Sequence, residues 1–182
     1  MYTLLLVDDE EDVIEVIERK VSWEQIGFHV VGHAGNGFKA LEMMEDMQPD
    51  VVMTDIRMPY MDGLELCSKI RQRFPATKLL LFTGFDDFEY AKEAVHLEIE
   101  EYILKPLNLA EITEVFKKLK TKLDDELNEK KNTDILKQYY AASLPVLQSN
   151  FYTTLIEGRI PENELGRYMR DYKIVLEGPY YC

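Results

Sequence analysis

The sequence predicts an α/β domain, a parallel β-sheet with helices on both faces, followed by a helical extension. Three observations predict it. Up to about residue 123, short apolar runs rich in Val, Ile and Leu alternate with longer amphipathic stretches. Runs this short and this apolar read as strands buried on both faces, the habit of parallel sheets. Five strand–helix units in succession call for crossover connections rather than hairpins. The last helical pattern then continues with no Gly or Pro until Pro145.

In chain order the expected strands are Thr3–Val7, His29–Ala34, Val51–Thr54, Lys78–Thr83 and Glu101–Leu104. Between them the helical patterns cover Glu11–Val21, Gly37–Met47, Gly63–Phe74, Asp87–Leu97 and Asn108 onward. Met43, Met44 and Met47 lie at core-like spacing on the second helix, with no sign of a cofactor. In the last helix, Ile112, Phe116, Leu119 and Leu123 keep a four-three-four spacing, and Leu127 is one place out of step. The stretch Thr121–Lys137 is mostly charged, so the helix reads either as a solvated linker or as a dimerising coiled coil. The apolar seam is shorter than the three to four heptads a coiled coil asks for. A new helix is expected to start near Pro145 and stop near Gly158, and another to start at Pro161 with Leu165, Tyr168, Met169 and Tyr172 on one side. From Lys173 to Cys182 the chain reads as an incoming strand, cut off.

The organisation expected is therefore a domain over 1–123, a helical linker over 124–143, and the start of a truncated middle region over 144–182. A segment of that size cannot build a core alone, since chains below ~40 residues need staples or partners. The protein is expected to be a piece of something longer. Its formal net charge is −13, which repels phosphate backbones and argues against nucleic-acid binding by these residues themselves. No apolar run approaches the ~20 residues of a membrane span. The run at Thr3–Val7 is too short, and lacks the basic flank, for a signal peptide. No membrane contact and a cytoplasmic location are expected. Cys67 and Cys182 predict neither a disulfide nor a metal site.

Ligands of open parallel sheets sit outside the carboxyl ends of the strands, so the residues just after each strand carry the chemistry. There the sequence places Asp8-Asp9-Glu10, Asp55, Thr83 and Lys105-Pro106. Any one of them alone has a bland explanation; the acidic pair could simply cap the next helix. The set, in order on strands one, three, four and five, does not. Carboxylates ~4 Å apart repel by roughly 4 kcal/mol per pair at an effective dielectric of about 20. A single lysine cannot cancel that, whereas Mg²⁺ prefers a few carboxylates and completes its shell with water and phosphate oxygens. Asp9, Asp55 and an outer-sphere Asp8 suit such an ion. Asp55 is then the natural nucleophile, because carboxylates form acyl phosphates. Lys105, the Thr83 hydroxyl and the metal would steady the equatorial oxygens of a transferring phosphoryl group.

Leu5-Leu6-Val7-Asp8-Asp9-Glu10, Thr54-Asp55-Ile56-Arg57-Met58-Pro59, Phe82-Thr83-Gly84 and Tyr102-Ile103-Leu104-Lys105-Pro106 resemble the successive motifs of response-regulator receiver domains. The resemblance covers about residues 1–123. It implies a doubly wound, flavodoxin-like fold of five parallel strands in the order 2-1-3-4-5. It implies that Asp8, Asp9, Asp55 and the Arg57 backbone carbonyl hold Mg²⁺, and that Asp55 takes its phosphoryl group from the phosphohistidine of a sensor histidine kinase. It implies further that Thr83 and Tyr102 form a switch pair and that the Lys105–Pro106 peptide is cis. Trp23-Glu24-Gln25-Ile26-Gly27-Phe28, Gly35-Asn36-Gly37 and Thr83-Gly84-Phe85-Asp86-Asp87-Phe88-Glu89-Tyr90-Ala91 resemble, more narrowly, the YesN-like regulators of the AraC type. Those proteins carry a C-terminal pair of helix-turn-helix units, so DNA would be met only through a domain missing here. The implied output is control of transcription through phosphorylation-driven changes of shape or association, and a homodimer is open.

Arg57 and Phe85 stand two residues after Asp55 and Thr83 and flank the line along which water would attack the phosphoryl group. Their bulk predicts slow self-dephosphorylation. Two other functions compete with this reading. An aspartate-nucleophile phosphatase of the haloacid dehalogenase type needs a second Asp where Arg57 stands. A receiver-like interaction module that never phosphorylates would not need the full set of Asp8, Asp9, Asp55, Thr83 and Lys105. His29, His33 and His96 share no ligand spacing, and Gly35-Asn36-Gly37 lacks the Lys and Ser or Thr of a phosphate loop.

Overall fold

The computed structural model describes residues 1–84, 88–106 and 108–175. Five strands, β1 (Tyr2–Val7), β2 (Phe28–Ala34), β3 (Val51–Asp55), β4 (Lys78–Thr83) and β5 (Glu101–Leu104), form one sheet in the order β2-β1-β3-β4-β5. Every neighbouring pair is parallel. The helices are α1 (Glu11–Lys20), α2 (Trp23–Ile26), α3 (Gly37–Met47), α4 (Gly63–Arg73), α5 (Phe88–His96), α6 (Leu109–Ile156) and α7 (Glu162–Asp171). The strands and the helices α1, α3, α4 and α5 match the sequence expectation to within a residue at each described end. Asp87, the expected start of α5, lies outside the described residues.

Side chains of a strand alternate between faces, and here each face meets its own core. Leu4 and Leu6, Val51 and Met53, and Leu80 and Phe82 join Ile14 and Ile17 of α1 and Ile112, Phe116, Leu119 and Leu123 of α6. Leu5 and Val7, Val52, and Leu79 and Leu81 join Ala40 and Met44 of α3, Leu66 and Ile70 of α4, and Ala94 of α5. The methionines of α3 split accordingly: Met44 is buried, Met43 packs at the edge, and Met47 is exposed. Helix starts are fixed by side-chain caps, Asn36 accepting from Lys39 N at 3.0 Å and Asp62 from Glu65 N at 2.7 Å.

The short helix α2 is not among the expected elements. Its residues are too few for a periodic pattern, and its stability comes from packing. The Trp23 ring meets Phe116 edge-on at 4.8 Å, and Phe116 meets Phe28 likewise at 5.0 Å. Gly27 ends α2 in the left-handed region, at φ 87°, beneath the Lys120 side chain, where a Cβ would come within 2.5 Å of Lys120 Cε. Only glycine tolerates both conditions without strain.

Two compact units divide the chain, Met1–Asp124 and Asp125–Cys182. In the second, the expected helix start at Pro145 is overturned: α6 runs through it to Ile156. Proline is favoured at a first turn, but a helix already nucleated continues more cheaply than a new one starts. The cost of an interior proline, ~3 kcal/mol, arises from a lost N–H bond and a clash with the carbonyl four residues back. Here Ala141 and Pro145 are both exposed, so water can meet the displaced carbonyl. The expected stop and restart are present, with Gly158 just beyond α6 and Pro161 as the N-cap of α7. Phe151 is buried, with the Tyr172 ring 6.3 Å away, and Gln148 Nε2 donates to the Tyr172 carbonyl at 2.9 Å. The Tyr140 hydroxyl donates to the Asp171 carbonyl. Lys173–Val175 do not form the expected strand, and residues 176–182, where the rest of it was placed, lie outside the described residues.

Candidate functional site

The site is assembled where β1, β3, β4 and β5 end. Parallel pairing sets Val7 beside Thr54, Asp55 beside Phe82, and Thr83 beside Leu104, so the strand ends converge at one edge. Asp8 and Asp55 are buried, Asp9 is exposed, and one carboxylate oxygen of each lies within 4.8 Å of the others. Thr83 is fully buried at the end of β4, and its carbonyl accepts from Lys105 N at 2.7 Å. Tyr102 is half-buried and packs against the core formed by α3, α4 and α5. The Lys105–Pro106 peptide is cis.

Lys105 Nζ donates to Asp8 Oδ2 at 3.0 Å and stands 3.6 Å from Asp55 Oδ1 and 3.7 Å from Glu10 Oε1. The ammonium also lies 5.0 Å from the centre of the Phe82 ring, which seats it. Burial would lower its pKa, but the Asp8 hydrogen bond and the charges of Asp55, Asp8 and Glu10 outweigh that and raise it. Lys105 is therefore a fixed cation.

The acidic pair is not a helix cap. Asp8 Oδ1 accepts from Glu10 N at 2.9 Å, whereas Glu10, the N-cap of α1, makes no side-chain cap bond. Burial raises the pKa of Asp8, only partly offset by the Glu10 N–H and by Lys105. Burial likewise raises Asp55, against Lys105 and with the charges of Asp8 and Asp9. Asp55 Oδ1 is buried with no hydrogen-bond partner among the described residues. A buried orphan oxygen costs ~1–3 kcal/mol. An oxygen-only donor set, negative in excess and incompletely satisfied, fits a hard divalent cation and a phosphate.

Gly63 is a contributor that the sequence reasoning did not single out. A Cβ there would lie 2.0 Å from the Asp55 carbonyl oxygen, and Gly63 N donates to the Ile56 carbonyl at 2.8 Å. Glycine thus lets the start of α4 press against the backbone that presents Asp55. Its only signal in the sequence is the Asp-Gly pair at 62–63, which marks a helix start. Arg57 is exposed, its guanidinium 6.0 Å from the centre of the Tyr90 ring on α5. Phe85, its expected companion along the line of water attack, lies outside the described residues. No helix among the described residues is long and apolar enough to cross a membrane.

Comparison with known proteins agrees with this geometry. The family model for the response regulator receiver domain matches residues 4–117. The uncharacterised transcriptional regulatory protein YesN of Bacillus subtilis is 38% identical over 137 residues, covering 75% of this chain and 37% of its own length. The transcriptional regulatory protein HptR of Staphylococcus aureus is 26% identical over 164 residues, 90% of this chain and 64% of its own. This chain thus spans between about a third and two thirds of the length of these curated relatives. Among solved structures, the REC domain of AraT, a response regulator from Geobacillus stearothermophilus, superposes with a TM-score of 0.66 at 36% identity. That match covers 69% of this chain and 98% of the other. A two-component transcriptional regulator AraC from Clostridium phytofermentans gives 0.61 at 28% identity, over 70% and 99%.

Proposed function

This chain belongs to the response regulator receiver domain family, and on that premise we propose that Asp55 is its phosphoacceptor, charged by a sensor histidine kinase. Phosphorylation-dependent two-component signalling is the general function of the family. The single observation that carries the assignment is the state of Asp55: a buried carboxylate with one oxygen unpartnered and an ammonium 3.6 Å from it. Its carboxylate oxygen bonds to phosphorus as the P–N bond of the donor phosphohistidine breaks, the electron pair leaving on the imidazole nitrogen. No general base is needed, because the aspartate is already an anion near neutral pH. Lys105 and the Thr83 hydroxyl steady the equatorial oxygens as charge moves onto them.

Receiver domains generally bind Mg²⁺ in an acidic pocket. Here Asp8, Asp9, Asp55 and the Arg57 carbonyl would hold it, and it would supply the charge neutralisation that one lysine cannot. The apolar cavity of about 350 Å³ beside the site, lined by Asp12, Val13, Val16, Lys105 and Pro106, suits the donor protein's approach to Asp55. The readout assigned to the switch pair is movement of Thr83 toward the phosphoryl group and inward rotation of Tyr102. Slow self-dephosphorylation is expected from the bulk of Arg57 and Phe85, two residues after Asp55 and Thr83; a lifetime of seconds in the purified protein would sink it.

The same reading makes 1–123 the receiver, 124–143 a helical connector and 144–182 the start of a middle region, in the cytoplasm. Control of transcription is extended to it from the names of YesN and HptR, with DNA met by residues other than these 182, whose net charge is −13. Incubation with Mg²⁺ and acetyl phosphate, followed by intact mass, tests the core of the proposal. One added phosphoryl group is expected, absent from Asp55→Asn. No gain with any donor would assign the chain to interaction modules that never phosphorylate.

A further inference from the structure

We propose that Tyr60 recognises the protein that charges Asp55: its ring packs on the sensor histidine kinase and takes no part in the chemistry itself. The starting observation is backbone strain. Tyr60 has φ 72°, and across it the Met61 N–H donates to the Pro59 carbonyl at 2.9 Å. A three-residue turn closed in this way at positive φ is the rare, strained form of the γ-turn. Glycine would adopt it freely, whereas a bulky residue there is an outlier. Such strain persists only where the surroundings hold it, and it gathers at functional sites.

The surroundings do hold it. Met61 is buried, and its side chain lies against the start of α3, where a Cβ on Gly37 would come within 2.7 Å of Met61 Cγ. Met58 is buried as well, and Gly63 N donates to the Ile56 carbonyl, closing the loop at the backbone that presents Asp55. Between these anchors Tyr60 is 87% exposed, so packing within the chain does not explain why a tyrosine stands in the turn. Position selects the occupant. Met61 belongs to the core under α3, α4 and α5, whereas the cavity at Val13, Lys105 and Pro106 lies beside α1, on the other face of the sheet. Tyr60 and that cavity therefore flank the Asp55 edge from two sides. A donor protein laid over this edge meets both, and a small phosphodonor cannot span them. Tyrosine is favoured at the energetic centres of protein interfaces. A ring held out by an anchored turn is also ordered before binding, which lowers the entropy lost on contact.

The inference rests on the assignment of a sensor kinase as the donor to Asp55. Each sensor kinase of the same organism, autophosphorylated with ATP, is mixed with the 182-residue chain, and initial transfer rates are followed against the concentration of the chain. With the kinase that charges the wild type fastest, Tyr60→Gly should raise KM at least about tenfold and leave the maximal rate unchanged. Tyr60→Phe, which keeps the ring, should restore the wild-type KM. Uptake from acetyl phosphate should be equal in all three proteins. Glycine relieves the turn, so far-UV circular dichroism and the melting transition exclude misfolding as the cause. A Tyr60→Gly chain charged by the kinase as the wild type is overturns the inference and leaves Asp55 assigned. Equal slowing with the kinase and with acetyl phosphate overturns it too, by moving the effect of Tyr60 to the site itself. No transfer to the wild type from any of the kinases removes the donor, and with it the partner of Tyr60.

Discussion

Lys105 donates its hydrogen bond to Asp8, at 3.0 Å, while Asp55 lies 3.6 Å away, outside normal hydrogen-bond reach. In this state the lysine is committed to Asp8 rather than to Asp55, the proposed phosphoacceptor. A doubly charged phosphoryl group on Asp55 would compete for it with more charge than Asp8 offers. The site is thus held in one arrangement and has a reason to change when Asp55 is modified.

Lys105→Met should separate the two roles of this ammonium. Methionine keeps the apolar stem over the Phe82 ring but removes the charge. Uptake of phosphoryl from acetyl phosphate should slow by about 10²-fold, the usual cost of one lost transition-state contact. Removing one partner of a buried ion pair should also cost ~2–3 kcal/mol in stability. Intact-mass time courses and urea unfolding read the two effects; an unchanged uptake rate would remove Lys105 from the chemistry.

Asp55→Asn should stabilise the metal-free protein while abolishing phosphoryl uptake. Burial, with Asp8 and Asp9 nearby, raises the folded-state pKa of Asp55 above 3.8. For an acid shifted upward, the penalty is fully present above the folded pKa and vanishes below the unfolded one. The variant should therefore gain ~1–2 kcal/mol at neutral pH, and the gain should shrink as the pH falls toward about 4. Mg²⁺ should raise the Tm of the wild type more than that of the variant. A variant less stable than wild type in metal-free buffer would contradict the orphan state of Asp55 Oδ1.

The sheet and its ligand edge were legible because they rest on period and order. Leu4, Leu5, Leu6 and Val7 all had to be apolar to serve two cores, and continuous apolar runs say so. The polar residue at or just after the end of β1, β3, β4 and β5 is equally plain, so Asp8, Asp55, Thr83 and Lys105 could be named from order alone. Gly63 was not legible as part of the site, since its role is a close approach to the Asp55 carbonyl that only coordinates reveal. Nor was α2, a single turn held by the Trp23–Phe116 contact. Pro145 misled because its preference for first turns is weaker than the advantage of extending an existing helix.

The apolar seam of α6 belongs to the core of its own unit as far as Leu123, and this can be measured. Phe116 is fully buried between the Trp23 and Phe28 rings, whereas Leu127 is 44% exposed. Phe116→Ala should cost ~3–5 kcal/mol, as large-to-small changes in aromatic cores do. Leu127→Ala should fall within about 0.5 kcal/mol of wild type in unfolding free energy per chain. Equal effects at the two positions would mean that the seam continues beyond the unit and that the helix is anchored differently.

Glu100 offers a pH test away from the proposed phosphoacceptor. Its carboxylate meets Lys122 Nζ at 2.6 Å and Lys78 Nζ at 3.4 Å, tying α6 to the starts of β4 and β5. Burial alone would raise its pKa, but the Lys122 hydrogen bond and the two lysine charges outweigh it and hold the carboxyl below 4.5. A carboxylate shifted downward contributes stability above its unfolded pKa and loses it as the pH falls through the folded one. Glu100→Gln should therefore be less stable by about 1 kcal/mol at neutral pH, since both lysines remain partly open to water. That difference should hold down to about pH 5 and close below about pH 4. Urea unfolding of both proteins across that range decides it, and an offset that does not change with pH would mean that Glu100 acts by packing rather than by charge.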